Sequence, residues 1–298
     1  MTDNDADIDD STAPLIEHLA ELRTRLIRAV LAFIVGMVIC FSFGSAILDF
    51  LLIPIENTMR DLGDPNPVMQ YTSPQEYFFT LVRISMVCGL AVSFPFIAHQ
   101  LWRFVAPGLY RNEKSAFLPF LVASPLLFLL GASFAHFVVT PMAMAFFLGF
   151  ADVPSFLTAI VDEPGSGVIA PDEGIKIVFN GKVNETLDIT LKLIVAFGLC
   201  FQLPVLLTLM GKAGLVSAEG LRNVRKYAIV GILVLAALVT PPDVITQIVL
   251  FVVVYGLYEI SIQLVTIVER NREAKLRAEG LWEEDDEEDI AEPESPNP

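Results

Sequence analysis

The chain has 298 residues, 54% of them hydrophobic and only 18% charged, with a mean hydropathy of +0.61. A water-soluble domain carries about a quarter charged residues, so this composition excludes an ordinary soluble globule. The net charge of −16 belongs to the ends: residues 1–10 hold five acids and no base, residues 279–298 hold ten acids and no base, and the body is nearly neutral. Acidic ends and the lack of a basic patch with aromatics argue against a nucleic-acid partner. Cys40, Cys88 and Cys200 lie in apolar runs without CxxC or CxxH spacing, giving neither a disulfide framework nor a zinc site. The opening MTDNDADIDD is acidic where a secretory leader would be basic, so no cleaved leader is expected.

Charge-free intervals mark the elements in chain order. There are 20 residues between Arg28 and Asp49, 19 between Arg83 and Arg103, 37 between Lys114 and Asp152, and 19 between Lys192 and Lys212. Two shorter intervals follow, 16 residues from Lys226 to Asp243 and 15 from Asp243 to Glu259, sharing the tight turn Thr240-Pro241-Pro242-Asp243. A spanning helix needs roughly 20 apolar residues. These intervals predict an all-α integral membrane protein of six transmembrane helices, at about 24–46, 76–102, 115–140, 188–211, 225–240 and 243–267. The last two are predicted to be short. Residues 1–14 and 273–298 read as acidic tails around a membrane domain at 15–272, the second tail disordered because a like-charge run buries too little to fold.

With the N-terminus inside, the cytoplasmic pieces hold 14 Lys and Arg residues and the outer connections hold only Arg60, Lys176 and Lys182. The positive-inside rule then places both termini in the cytoplasm. The outer connections fall at roughly 45–75, 141–188 and 240–243. In the second, Ile175, Ile177 and Phe179 alternate up to Asn180-Gly181, which predicts a small β-hairpin. Thr140-Pro141 reads as the N-cap and first turn of an apolar helix along the outer interface. Pro95, Pro119, Pro125 and Pro204 each remove a backbone donor and bend a span, so a curved wall is expected.

Polar groups at membrane depth are functional candidates. Glu21 precedes the first span with Arg25 one turn on, and Glu113 lies in the cytoplasmic connection between spans two and three, between Arg111 and Lys114. Carboxylates on a cation-rich rim suit bidentate pairing with guanidinium groups. Gln202 falls midway along the fourth span, where a neutral amide serves an interhelical hydrogen bond or a ligand. Thr240, Pro241 and Asp243 form a capping-box pattern for the last span, with Gln247 one turn further on the same face. His136 and Glu259 have no local assignment. There is no HExxH, GxSxG, Walker loop or GxGxxG, so no enzyme, cofactor or metal is expected.

Four segments carry a resemblance: HLAELRTRL at 18–26, FVAPGLYRNEK at 104–114, AFGLCFQLPV at 196–205 and TPPDVITQ at 240–247. Together, over residues 15 to 272, they resemble TatC, the multispanning subunit of the twin-arginine protein translocase. The resemblance implies a glove-like six-helix bundle in the bacterial inner membrane. It also implies single-span TatA and TatB partners, self-association in a receptor complex, and export of folded cargo driven by the proton-motive force. By matching position, it implies that Glu21 and Glu113 face the paired arginines of the signal peptide, with Arg23, Phe104, Pro107 and Tyr110 as further recognition positions. Gln202, Thr240, Asp243 and Gln247 match the partner-helix docking region, and Pro54, Phe78 and Phe79 match a sensitive outer region. Gln202 stands where the family often has Glu, and His136 where a Tyr is common. A small ion-coupled secondary transporter is the main rival; it calls for mid-membrane carboxylates and inverted repeats, and neither is evident. An intramembrane hydrolase lacks a nucleophile–base pair in any span.

Overall fold

The computed structural model describes residues 4–105, 118–149, 181–240 and 243–278, and these are helical almost throughout. Helix α1 runs Asn4–Ser42, so it begins inside the segment expected as a tail and ends four residues before the predicted limit at 46. Helix α2, Gly44–Asp61, occupies much of what was expected to be the first outer connection. Its pattern explains the difference: Gly44, Leu48, Leu51, Ile55 and Thr58 are buried one turn apart, while Glu56 and Arg60 pair at 2.8 Å on the exposed face. An amphipathic helix of this kind leaves no charge-free interval to find. Helix α3 covers Pro74–Val105 and helix α4 covers Leu118–Phe134, with Pro95 and Pro125 inside them.

A five-residue π segment, Ala135–Val139, joins α4 directly to α5, Thr140–Gly149. Thr140 is therefore not an N-cap; its φ of −59° and ψ of −50° are helical, and its hydroxyl donates to the Ala135 carbonyl at 3.0 Å. The wider π turn admits Pro141 without ending the helix. Helix α5 continues the α4 helix rather than starting a separate one, and it buries Ala143 and Met144, the latter clustering with Ile55 and Met59 of α2. Residues 150–180, including most of the expected hairpin, lie outside the described residues. The described end of that segment, β2 at Gly181–Lys182, pairs in parallel with β1 at Met69–Gln70, which ties together the two segments expected as the first and second outer connections.

Helix α6, Val183–Cys200, and helix α7, Leu203–Lys212, are halves of one span that breaks at Phe201–Gln202 before Pro204. Short helix α8, Ala218–Asn223, is followed by α9, Arg225–Val239, of 15 residues. Helix α10, Val244–Ala278, has 35 residues. The expectation of two short final spans therefore holds only for α9. α10 passes straight through Glu259 and on past residue 272 into the expected tail, because Glu259 is neutralised by a partner rather than exposed to lipid.

Five helices among the described residues are long and apolar enough to cross a bilayer: Leu19–Ser42, Pro74–Phe104, Pro119–Gly149, Val183–Lys212 and Val244–Lys275. The α6–α7 span forms the centre, with Leu187, Leu193 and Phe197 fully enclosed. Small residues let backbones close on each other, as membrane helices require where apolar burial gives little drive. A Cβ on Gly131 of α4 would lie 2.5 Å from the Phe197 carbonyl of α6, and one on Gly89 of α3 would lie 2.6 Å from the Met37 Cα of α1.

Candidate functional site

Helices α1 and α3 run antiparallel: Gly36 meets Gly89 and Gly44 meets Leu81. Each step back along α1 is matched by a step forward along α3, so Glu21 falls level with Phe104 at one end of the bundle. Glu21 accepts from Arg25 Nε at 2.9 Å, and the Arg25 Nη2 donates to the same oxygen, Oε1. The side chains of Arg25 and Glu21 are 13% and 36% exposed, so the carboxylate is reachable from solvent while the guanidinium is largely covered. Ala20, Glu21, Thr24, Arg25 and Arg28 line a shallow recess of about 380 Å³. Arg23 is exposed on the same helix and Phe104 is half-buried. Pro107, Tyr110 and Glu113 lie outside the described residues, so of the set expected to recognise the signal peptide, Glu21, Arg23 and Phe104 are described, at the same end of the bundle.

Gln202 sits in a different place. It lies ten residues from Lys192 and ten from Lys212, the middle of a charge-free stretch. Its Nε2 donates to the Ser124 carbonyl at 3.0 Å, its Oε1 accepts from Ser124 Oγ at 2.5 Å, and Trp102 Nε1 donates to the same hydroxyl at 3.2 Å. Ser124 is fully enclosed. One amide thus ties α3, α4 and the α6–α7 break together. Of the two roles open to Gln202 in the sequence, the structure displays the interhelical hydrogen bond. Ser124 and Trp102, separated from it by 78 and 100 positions, had no signal in the sequence beyond being polar in apolar runs.

The α9–α10 turn corrects the cap assignment. Thr240 closes α9, with φ −83° and ψ 151° and its hydroxyl donating back to Ala236 at 2.9 Å. That extended backbone is what a residue before proline prefers. Asp243 is the N-cap of α10: Oδ1 accepts from the Thr246 N–H at 2.6 Å and Oδ2 accepts from the Thr246 hydroxyl. Asp243 and Thr240 are buried and Gln247 is half-buried, so these three share the turn. Ile189 and Lys192 line a cavity with Thr240. Gln202 is ten residues beyond Lys192, about 15 Å along the span, and so stands apart from the turn.

The remaining positions divide. Pro54 is buried within α2, whereas Phe78 and Phe79 are 53% and 55% exposed on α3, where Phe78 meets Phe41 edge-on. His136 is enclosed in the π segment, stacked on Phe50 at 4.8 Å, and neither ring nitrogen has a hydrogen-bond partner among the described residues. Glu259 accepts from Arg225 at 2.7 Å and from the Tyr255 hydroxyl at 2.9 Å, which gives it the role the sequence left open. A matched pair 34 residues apart across a tight hairpin was the available signal. Glu269 of α10 accepts from the Ala218 N–H at 2.9 Å and Tyr258 donates to the Leu221 carbonyl at 2.7 Å, clamping α8 onto α10.

Comparison with known proteins places this arrangement. Residues 17–252 match the family model described as Sec-independent protein translocase protein (TatC). The Sec-independent protein translocase protein TatC of Magnetococcus marinus is 41% identical over 286 residues, covering 95% of this chain and 96% of the relative. That of Aquifex aeolicus is 38% identical, covering 87% and 97%, and that of Escherichia coli is 34% identical, covering 85% and 88%. A crystal structure described as the twin arginine translocase receptor TatC superposes with a TM-score of 0.67 at 38% identity, over 85% of this chain and all of that one. The chain belongs to the TatC family of Sec-independent protein translocase proteins.

Proposed function

We propose that this chain is the receptor subunit of a twin-arginine translocase, taking the paired arginines of signal peptides at the bundle end that carries Glu21. The observation that carries the reading is the solvent-reachable Glu21 carboxylate beside Arg25, level with Phe104, on a stretch of α1 that also carries Arg23 and Arg28. The Glu21 carboxylate is 36% exposed, so an incoming guanidinium can reach it. Charge-assisted bonds to an incoming Arg are worth roughly 1.5–3 kcal/mol each. Glu113 supplies the second carboxylate in this reading, with Arg23, Phe104, Pro107 and Tyr110 lining the path.

The same reading counts α9 as a sixth, short span and sets both termini on the cytoplasmic side of the bacterial inner membrane. The excess of Lys and Arg in the connections on that side supports it. At 15 residues α9 is about 22 Å long, well under the ~30 Å hydrocarbon core. Single-span TatA and TatB helices dock along this short hairpin in the reading, meeting Thr240, Asp243 and Gln247. The domain is not an enzyme; it receives cargo and assembles partners, and export draws on the proton-motive force.

The test is site-specific crosslinking and affinity for a twin-arginine peptide, using the full chain in lipid. Glu21→Ala and Glu113→Gln should each lower binding by about tenfold to a hundredfold. Undiminished binding in both variants would remove the assignment.

A further inference from the structure

Arg83 and Lys192 mark the outer ends of the two 19-residue charge-free stretches, 84–102 and 193–211. At about 1.5 Å per residue each stretch is about 28 Å long, one hydrocarbon thickness, so both cations sit at the same membrane boundary. The structure joins them. Asp188 lies 2.6 Å from Lys192 Nζ and 3.5 Å from Arg83 Nη1, and that same nitrogen donates to Asn184 at 3.0 Å. Two cations around one carboxylate leave a net positive charge, and the Arg83 and Lys192 side chains are 50% and 65% exposed.

Directly inward from this cluster is a groove of about 510 Å³ between α3, α6 and the outer end of α9. Met86, Val195, Leu199 and Leu238 line it, and Leu199 and Leu238 are 52% and 80% exposed. A cationic mouth at the boundary over an apolar floor open to the bilayer is complementary to one kind of molecule, an acyl chain carrying a phosphate. Basic pockets between membrane helices recognise lipid headgroups on this principle. We propose that the groove is a binding site for an anionic phospholipid, its phosphate held by Arg83 and Lys192 and one acyl chain lying along Val195, Leu199 and Leu238. A partner helix would fill the apolar floor but bring nothing to the mouth unless an acid stood at its head. The assignment requires only that α3 and α6 span the bilayer, so it does not depend on the reading of the opposite rim.

The experiment is native mass spectrometry of the full chain equilibrated with mixed phosphatidylglycerol and phosphatidylcholine. Each boundary cation contributes about fivefold to the retention of an anionic lipid. Wild type should retain phosphatidylglycerol preferentially, and Arg83→Gln with Lys192→Gln should lower that retention about twenty-fivefold while phosphatidylcholine is unchanged. Ala196→Phe fills the groove and leaves every charge in place; it should displace the lipid too. Equal phosphatidylglycerol retention by wild type and both variants overturns the proposal. If the double variant fails to fold, Ala196→Phe decides alone, lost lipid upholding the site and retained lipid overturning it. A photo-reactive residue in place of Leu199 should label lipid; labelling of a polypeptide instead would assign the groove to a partner and overturn the lipid site. Binding of a twin-arginine peptide, followed in the same samples, should not change, which separates failure here from failure at the Glu21 rim.

Discussion

The first and fourth spans treat their polar groups in opposite ways. Only 11% of the first span's apolar stretch is buried against the rest of the protein, and Glu21 at its end holds a neighbour on the same helix with its own side chain 36% exposed. In the fourth span 56% of the window is buried, and Gln202 spends both ends of its amide on Ser124 of another helix. A pair formed along one helix at a wet rim can be exchanged for a visiting group. A network closed between three helices around the enclosed Ser124 and Trp102 cannot, since opening it strands buried donors at roughly 1–3 kcal/mol each. The contrast separates groups available for recognition from groups that hold the wall in shape.

Four substitutions sharpen that division. The largest effect should come from Gly131→Leu, which drives a side chain into the Phe197 backbone at the central contact. We expect a loss of about 3 kcal/mol or more, read as loss of cooperative unfolding and protease resistance in detergent. Glu21→Gln should weaken a twin-arginine peptide by about 1.5–3 kcal/mol, measured by titration, while the Tm stays within a degree or two. Gln202→Leu should behave the other way round. Thermal unfolding should show a loss of about 1–2 kcal/mol, because Trp102 and Ser124 keep only each other, yet peptide affinity should match wild type. The smallest shift belongs to Asp243→Ala, about 1 kcal/mol from loss of the α10 cap, with Asp243→Asn recovering most of it. A peptide-binding defect in Gln202→Leu, or a folding defect in Glu21→Gln, would break the division.

The long spans were legible because a charge in lipid is costly, so Arg28, Arg83, Arg103, Lys192 and Lys212 write the boundaries into the sequence. That same rule failed where a charge is neutralised inside. Glu259 made α10 look short, and only its partners Arg225 and Tyr255 show why the helix continues. Helix α2 escaped for the opposite reason, since Asp49, Glu56 and Arg60 on its exposed face hide an amphipathic helix from a search for uncharged runs. At Thr140 and Thr240 a Thr-Pro step reads as a helix start in both places. The structure uses it once within a continuous helix, made possible by a π turn, and once as a helix end. The cap pattern named the correct acid, Asp243, with the wrong register. Glu21 and its Arg25 neighbour were visible as an i,i+4 spacing, whereas the Gln202 cluster joins positions far apart in the chain and no local pattern encodes it.

The central claim is that the rim around Glu21 reads the planar guanidinium fork. Its most direct test is competition between a twin-arginine peptide and its twin-lysine counterpart for the full chain in lipid nanodiscs, for wild type and Glu21→Gln. Lysine cannot form the bidentate pair, so the arginine peptide should win by about tenfold or more on wild type, and the gap should shrink in the variant. Equal affinities on wild type, or a gap untouched by Glu21→Gln, would contradict the account.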